Sequence, residues 1–193
     1  MTALTLTFAV YLATSSPTDA GATPRSAARA YVAAVLRGDA AAALAVVAEP
    51  SDMDRVVVRV QAAGADALSR LEQVSTSHFG ARGDLGIAAR HRRLLAKLEH
   101  APLEVKGDRA VLQPEGEKPF QLRRVGGAWK IESPAERLTG ADQKALERAL
   151  ERTESAAQGL AEQIRTDAVK SAEEAREALR KALEKDPQEG VPL

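Results

Sequence analysis

The chain has 193 residues, 45% of them hydrophobic but only 3% aromatic, and its 27 Lys and Arg balance 27 Asp and Glu for a formal net charge of zero. That balance lacks the basic excess that phosphate-backbone binding needs, so nucleic acid is not an expected partner, and the absence of cysteine excludes disulfides and thiolate metal sites. The length suits one domain plus an extension; much of the apolar content is alanine, so the core must rest on Leu, Val, Ile and a few large anchors such as the lone Trp129.

Ala3 to Ala13 is an apolar run, Ser15 to Thr18 is polar with Pro17, and Ala20-Gly21-Ala22 offers a small-x-small cleavage site. This pattern resembles an export signal, although no Lys or Arg precedes the run, which is too short to span a bilayer. Residues 1–22 are therefore expected to be a signal peptide, with the mature chain beginning near Thr23, exported to a periplasm or secreted and without a transmembrane segment.

Thr23-Pro24 predicts a helix start, a hydroxyl N-cap followed by proline at the first helical position. Ala27, Ala30, Tyr31, Ala34 and Val35 follow at helical spacing, Gly38 stops the run, and Asp39 caps a second helix through Leu44 and Val47. Glu49-Pro50-Ser51-Asp52 breaks it. Val56-Val57-Val58 has strand character, yet Val56, Val60, Ala63, Ala67, Leu71 and Val74 step by three and four, which predicts a long helix weakened by Gly64. Gly80 to Gly83 reads as a loop, and Asp84 as the cap of a helix with Ile87, His91, Leu94, Leu95 and Leu98 on its apolar face.

Leu103 to Ser133 reads as two hairpins in a row. Gly107-Asp108 joins a strand over Leu103–Lys106 to one over Arg109–Pro114; Gly126-Gly127 joins Lys118–Val125 to Ala128–Ser133. A two-residue turn sets Val125 opposite Ala128, Arg124 opposite Trp129, Arg123 opposite Lys130 and Leu122 opposite Ile131. Phe120, Leu122, Trp129 and Ile131 then share the face that helices cover. Arg123 and Lys130 are like charges on the outer face, compensated by Glu132 or Glu104, or else by an anion or acidic partner surface. Arg124 falls on the inner face, where it stacks on Trp129 or lines a pocket, unless a bulge turns it outward.

After Pro134, Leu146, Leu150, Thr153, Ala157, Leu160 and Ile164 stripe a strong helix over residues 141–165. Ser171 with Glu174 makes a capping box, and Ala175, Leu179 and Leu183 begin a new stripe, so a helical hairpin is expected, ended by Asp186-Pro187. The fold class is α+β: N-terminal helices on a small, about four-stranded antiparallel sheet over residues 23–133, then a helical extension over 134–193. The stripe packs on its own hairpin and the sheet, or serves dimerisation or a partner through Leu160, Ile164, Leu179 and Leu183.

Tyr31 to Asp39, reading YVAAVLRGD, resembles the first helix of the nuclear-transport-factor-2-like superfamily, which includes ketosteroid isomerases and SnoaL-like cyclases, and VGGAWKIES resembles its last hairpin. The resemblance spans roughly Thr23 to Ser133 and implies a cone-like α+β fold. It places Tyr31 where the isomerases carry the tyrosine that donates a hydrogen bond to the oxyanion. The isomerases then enter a strand bearing an aspartate base, whereas this chain reads Ala48-Glu49-Pro50-Ser51-Asp52 and returns to helix. No catalytic set and no cofactor emerge; His78, His91 and His100 lack zinc-ligand spacing, and Arg90, Arg92, Arg93 and Lys97 read as a solvated helix face. The functional expectation is an exported, non-enzymatic binding or interaction domain of the non-catalytic type. The alternative is a small-molecule carrier or isomerase-like enzyme with Tyr31, Arg124 and Trp129 lining a sheet–helix cavity.

Overall fold

The computed structural model describes residues 21–135 and 138–184. The expected signal segment, except Gly21 and Ala22, and the Asp186-Pro187 stop lie outside those residues. The elements run α1 (Pro24–Leu36), α2 (Ala40–Ala45), α3 (Asp52–Phe79), one 3-10 turn (Gly80–Arg82), α4 (Ile87–His100), β1 (Leu103–Lys106), β2 (Arg109–Leu112), β3 (Phe120–Val125), β4 (Ala128–Ile131), α5 (Gly140–Arg165) and α6 (Ala172–Glu184). The architecture is α+β, with helices on an antiparallel β1-β2-β3-β4 meander, followed by a helical hairpin.

Local signals account for most of these boundaries. Thr23 and Ser26 form a reciprocal capping box at α1, and Asp39 accepts the Ala42 N–H at α2. Ser51 and Asp54 do the same for α3, whose first turn carries Asp52 and Asp54 at the positive end of the helix dipole. Ser171 Oγ accepts the Glu174 N–H, and Glu174 accepts the Lys170 N–H. The turn at Gly126 and Gly127, with φ of 59° and 85°, is one that only residues free to adopt positive φ make readily, and it delivers the expected register from Leu122↔Ile131 to Val125↔Ala128 without a bulge.

Several boundaries differ from expectation. α2 ends at Ala45, and Val47 instead bridges Ile131 beside β4. Asp84 does not cap α4: its carboxylate accepts the Gly86 N–H, and the N–H groups of Ile87 and Ala88 are taken by the two carboxylate oxygens of Glu72, on α3, at 3.0 and 2.9 Å. Residues 80–82 coil into 3-10 helix, and Gly83 after them packs against the α3 backbone, where a Cβ would lie 2.2 Å from the Ser75 carbonyl oxygen.

The long helix α3 contributes to three apolar clusters, the smallest of which sets its Val57 against Ala135 and Leu146. Toward the sheet, Val58 joins Tyr31 and Val32 of α1, Leu98 of α4, and Leu112, Leu122, Trp129 and Ile131 of the strands. Toward the C-terminus, Leu71 joins Leu85, Leu160, Ile164, Val169 and Ala175. Leu160 and Ile164, expected on a candidate interaction surface, are covered within the chain itself. Both are buried (Ile164 is 0% exposed) in a cluster that joins the apolar faces of α5, the second half of α3 and α6. Leu179 is half-buried beside them, and of the four only Leu183, 45% exposed, stands free.

Ile164→Ala should cost about 2–5 kcal/mol of unfolding free energy, whereas Leu183→Ala should change it by less than about 0.5 kcal/mol. Urea denaturation read by far-UV circular dichroism checks both.

Candidate interaction surface

Burial and hydrogen bonding decide what the expected pocket residues do. Tyr31 and Trp129, 5% and 8% exposed, are packed into the sheet-side core, with the Tyr31 ring edge-on to Phe120 at 6.5 Å. The Tyr31 hydroxyl donates its proton to Gln61 Oε1 at 3.0 Å. Burial, reinforced by the Asp54 charge, pushes that hydroxyl well above its ordinary value. Arg124 is paired with Trp129 as expected, yet it is exposed: its Nε donates to the Gly127 carbonyl at 3.1 Å. The register is right and no bulge intervenes. The long side chain carries its guanidinium out to solvent and back to the Gly127 carbonyl of the turn without leaving its face. Two of the three candidate pocket residues are thus packed in the core and the third is at the surface.

The carboxylate nearest this chemistry, Asp54, gave no signal beyond the helix-start spacing Ser51-x-x-Asp54. It is 1% exposed. Oδ2 accepts from the Ser51 N–H and Oγ at 2.9 and 2.7 Å, and Oδ1 accepts from Ser133 Oγ and the Ala135 N–H at 2.6 and 3.1 Å. Burial acts to raise its pKa, but the four hydrogen bonds together outweigh it and hold the carboxyl below its ordinary value. A general base works best with a pKa near the operating pH; Asp54, lowered and with both oxygens engaged, is a clasp tying the start of α3 to the exits of β4 and the α5 linker.

The histidines and α4 cations are dispersed. His78 Nε2 lies 2.9 Å from Asp167 Oδ1, and burial holds His91 below the ordinary imidazole value, opposed by Glu72 and reinforced by Arg90. Arg90, Arg92 and Arg93 are exposed, and Lys97 pairs with Glu117 at 2.9 Å. A half-open cleft of about 300 Å³ lies between α3 and α5, with Ala63, Ala67, Ala157 and Ala161 on its walls and the Asp66–Arg70 ion pair on its rim. It is formed by none of Tyr31, Arg124 and Trp129.

The unusual feature is the outer sheet face. The expected Arg123–Lys130 pair is part of a row crossing every strand: Lys106 faces Arg109, Arg109 faces Arg123, and Arg123 faces Lys130. Neighbouring strands stand about 4.8 Å apart, so four cations fall in a line of roughly 14 Å. Like charges directly opposite one another destabilise a sheet. Carboxylates offset the row in part. Glu104 pairs with Lys106, Glu132 reaches Arg109 at 3.8 Å, and Glu49 meets Arg123 at 2.7 Å from a left-handed backbone position, φ 50°. Among the described residues, Lys130 has no such partner. Side-chain exposure is 82% at both Lys106 and Arg109. Hairpin register alone revealed the Arg123–Lys130 pair; the row needed the β2–β3 register, which the longer connection at Pro114 to Glu117 left undefined.

No protein-family model, curated protein or solved structure matches this chain.

Asp54→Asn should cost about 3 kcal/mol, since it removes a charged acceptor from buried donors. Because the folded pKa is depressed, the stabilisation from Asp54 is complete above about pH 4 and is lost as pH falls through the folded value; the variant should lack that part of the acid dependence in denaturation series at stepped pH. Arg109→Thr should raise the melting temperature at low ionic strength by relieving the like-charge row, with the gain shrinking as salt is added; calorimetry at two salt concentrations reads it.

Proposed function

We propose that this chain is an exported, non-enzymatic interaction domain, of the non-catalytic nuclear-transport-factor-2-like type its sequence resembles, and that the outer sheet face binds an acidic polypeptide. The cation row is the observation that carries the proposal. Three of the four cations meet a carboxylate and Lys130 does not, so the row keeps an excess of positive charge at like-charged facing positions, which an acidic ligand would complement.

The shape of the row favours a narrow ligand. The next row on the same face holds Glu104, Val111 and Gln121, with Glu132 donating its N–H to the Gln121 carbonyl beside them. A bilayer or a nucleic-acid duplex is broad enough to press its own anions against Glu104 and Glu132. An acidic helix is only about 10 Å wide and repeats carboxylates about every 5.4 Å along one face, close to the strand spacing. Single-stranded nucleic acid binds through aromatic platforms, and this face offers Val111, Gln121, Val125 and Ala128 instead.

Export would expose this face to extracytoplasmic partners. Among the described residues no helix is long and apolar enough to cross a membrane.

A fluorescent oligoglutamate peptide should bind in anisotropy titrations at low salt and be released as salt rises. Arg109→Glu with Arg123→Glu should weaken binding at least tenfold, while Arg92→Glu with Arg93→Glu on α4 should leave it unchanged. Equal binding by the Arg109/Arg123 variant, or tighter binding of single-stranded DNA than of oligoglutamate, would overturn the proposal.

A further inference from the structure

The sheet's two edges are treated differently. The free side of β4 is closed by its own chain: the Trp129 N–H donates to Gly21 at 2.8 Å, the Ile131 N–H to Val46 at 2.9 Å, and the Ala48 N–H returns to Ile131 at 2.8 Å. At the other edge, β1 pairs only with β2 among the described residues. Its backbone parity follows from the hairpin. With a two-residue turn, Lys106 and Arg109 form the closing hydrogen-bonded pair, so Lys106 and Glu104 aim their N–H and C=O groups at β2. The Gln113 N–H donating to the Pro102 carbonyl at 2.9 Å continues the same parity. Val105 therefore aims its N–H and C=O outward, and its side chain is 50% exposed, more than any other large hydrophobic described.

We infer that β1 is the contact of a two-fold dimer in which two copies pair edge to edge, antiparallel, centred on Val105. The strand is self-complementary in that register and in no neighbouring one. Val105 meets Val105 of the second copy as a hydrogen-bonded pair, using the outward groups. Glu104 of each copy meets Lys106 of the other as non-hydrogen-bonded pairs, the closer kind, where opposite charges interact best. Glu104 and Lys106 already pair within one chain, so the dimer sets four charges of alternating sign around the axis. A shift by two residues would place Glu104 against Glu104 or Lys106 against Lys106. Because β4 is covered, the pairing closes at two copies rather than growing into a fibre. This inference does not depend on what binds the cation row, and Arg109 and Arg123 take no part in it.

A four-residue contact belongs to the weak class of interfaces, so sedimentation velocity should run from about 1 µM to about 1 mM protein at low salt. The wild-type chain should show a concentration-dependent dimer. Val105→Pro should be monomeric throughout with an unchanged circular dichroism spectrum, since the lost N–H faces away from β2 and edge positions tolerate proline. Each of Glu104→Lys and Lys106→Glu turns two attractive pairs repulsive and should weaken the dimer about tenfold or more, and the double variant E104K/K106E should restore it to near the wild-type affinity. A monomeric wild-type chain at the highest concentration, a dimer that survives Val105→Pro, or a double variant as weak as its parents would each overturn the inference.

Discussion

The buried carboxylate of Asp54 fixes the relation between the two halves of the molecule. Its oxygens engage Ser51 at the start of α3, Ser133 just beyond β4 and the backbone of Ala135 on the way to α5. An ion this deeply buried is tolerable only because every lone pair in reach of a donor is used. The clasp sets where α3 begins against the sheet, and 28 residues of helix then extend that placement to the far core. Val58 near its start packs on the strands, and Leu71 farther along packs on α5 and α6. Moving Asp54 would shift both cores at once. That is why the C-terminal hairpin, although it follows the sheet in sequence, shares its longest wall with the N-terminal helices.

What was legible in the sequence is what short-range chemistry decides. The Gly126-Gly127 turn carries its own register, and Thr23-Pro24, Asp39 and Ser171 with Glu174 announce helix starts within four residues. Contacts made across the fold were not legible. Glu72 caps α4 from 15 residues away, and Glu49 meets Arg123 from 74 away. The apolar stripe of α5 was plain, but a stripe states that a face must be buried, not against what; the structure buries Leu160 and Ile164 on α3. Arg124 shows the limit of alternation as a guide to burial. Period two assigned its face correctly, while its exposure follows from a side chain long enough to reach solvent and the turn carbonyl of Gly127.

The two faces of the sheet obey different rules. The inner face follows packing, with Leu112, Leu122, Trp129 and Ile131 closing on α1 and α4. The outer face departs from what stability alone favours at one row and conforms at the next, where Glu104, Val111, Gln121 and Glu132 are ordinary for a solvated sheet. Local inconsistency confined to one row, in a sheet otherwise consistent across propensity, turn chemistry and register, is the pattern expected where selection for binding overrides selection for stability. The left-handed Glu49 beside Arg123 fits the same view: the backbone holds an uncommon conformation at the point where a counter-charge meets the row.

The proposed edge contact and the cation row are coupled by geometry. Pairing two β1 strands antiparallel would place the rows of both copies on one continuous outer face, each running away from the two-fold axis. They would be offset along the strands by two residues, or about 7 Å. At the axis the charges alternate, so attraction for an anionic chain concentrates on the two arms rather than at the centre. A short acidic segment would occupy one arm and be indifferent to dimerisation. A segment long enough to reach both would gain from effective concentration, and by linkage would tighten the dimer by the same factor that dimerisation tightens its binding. A weak edge contact is suited to that arrangement, because the free chains remain separate until a ligand of sufficient length supplies the remaining free energy.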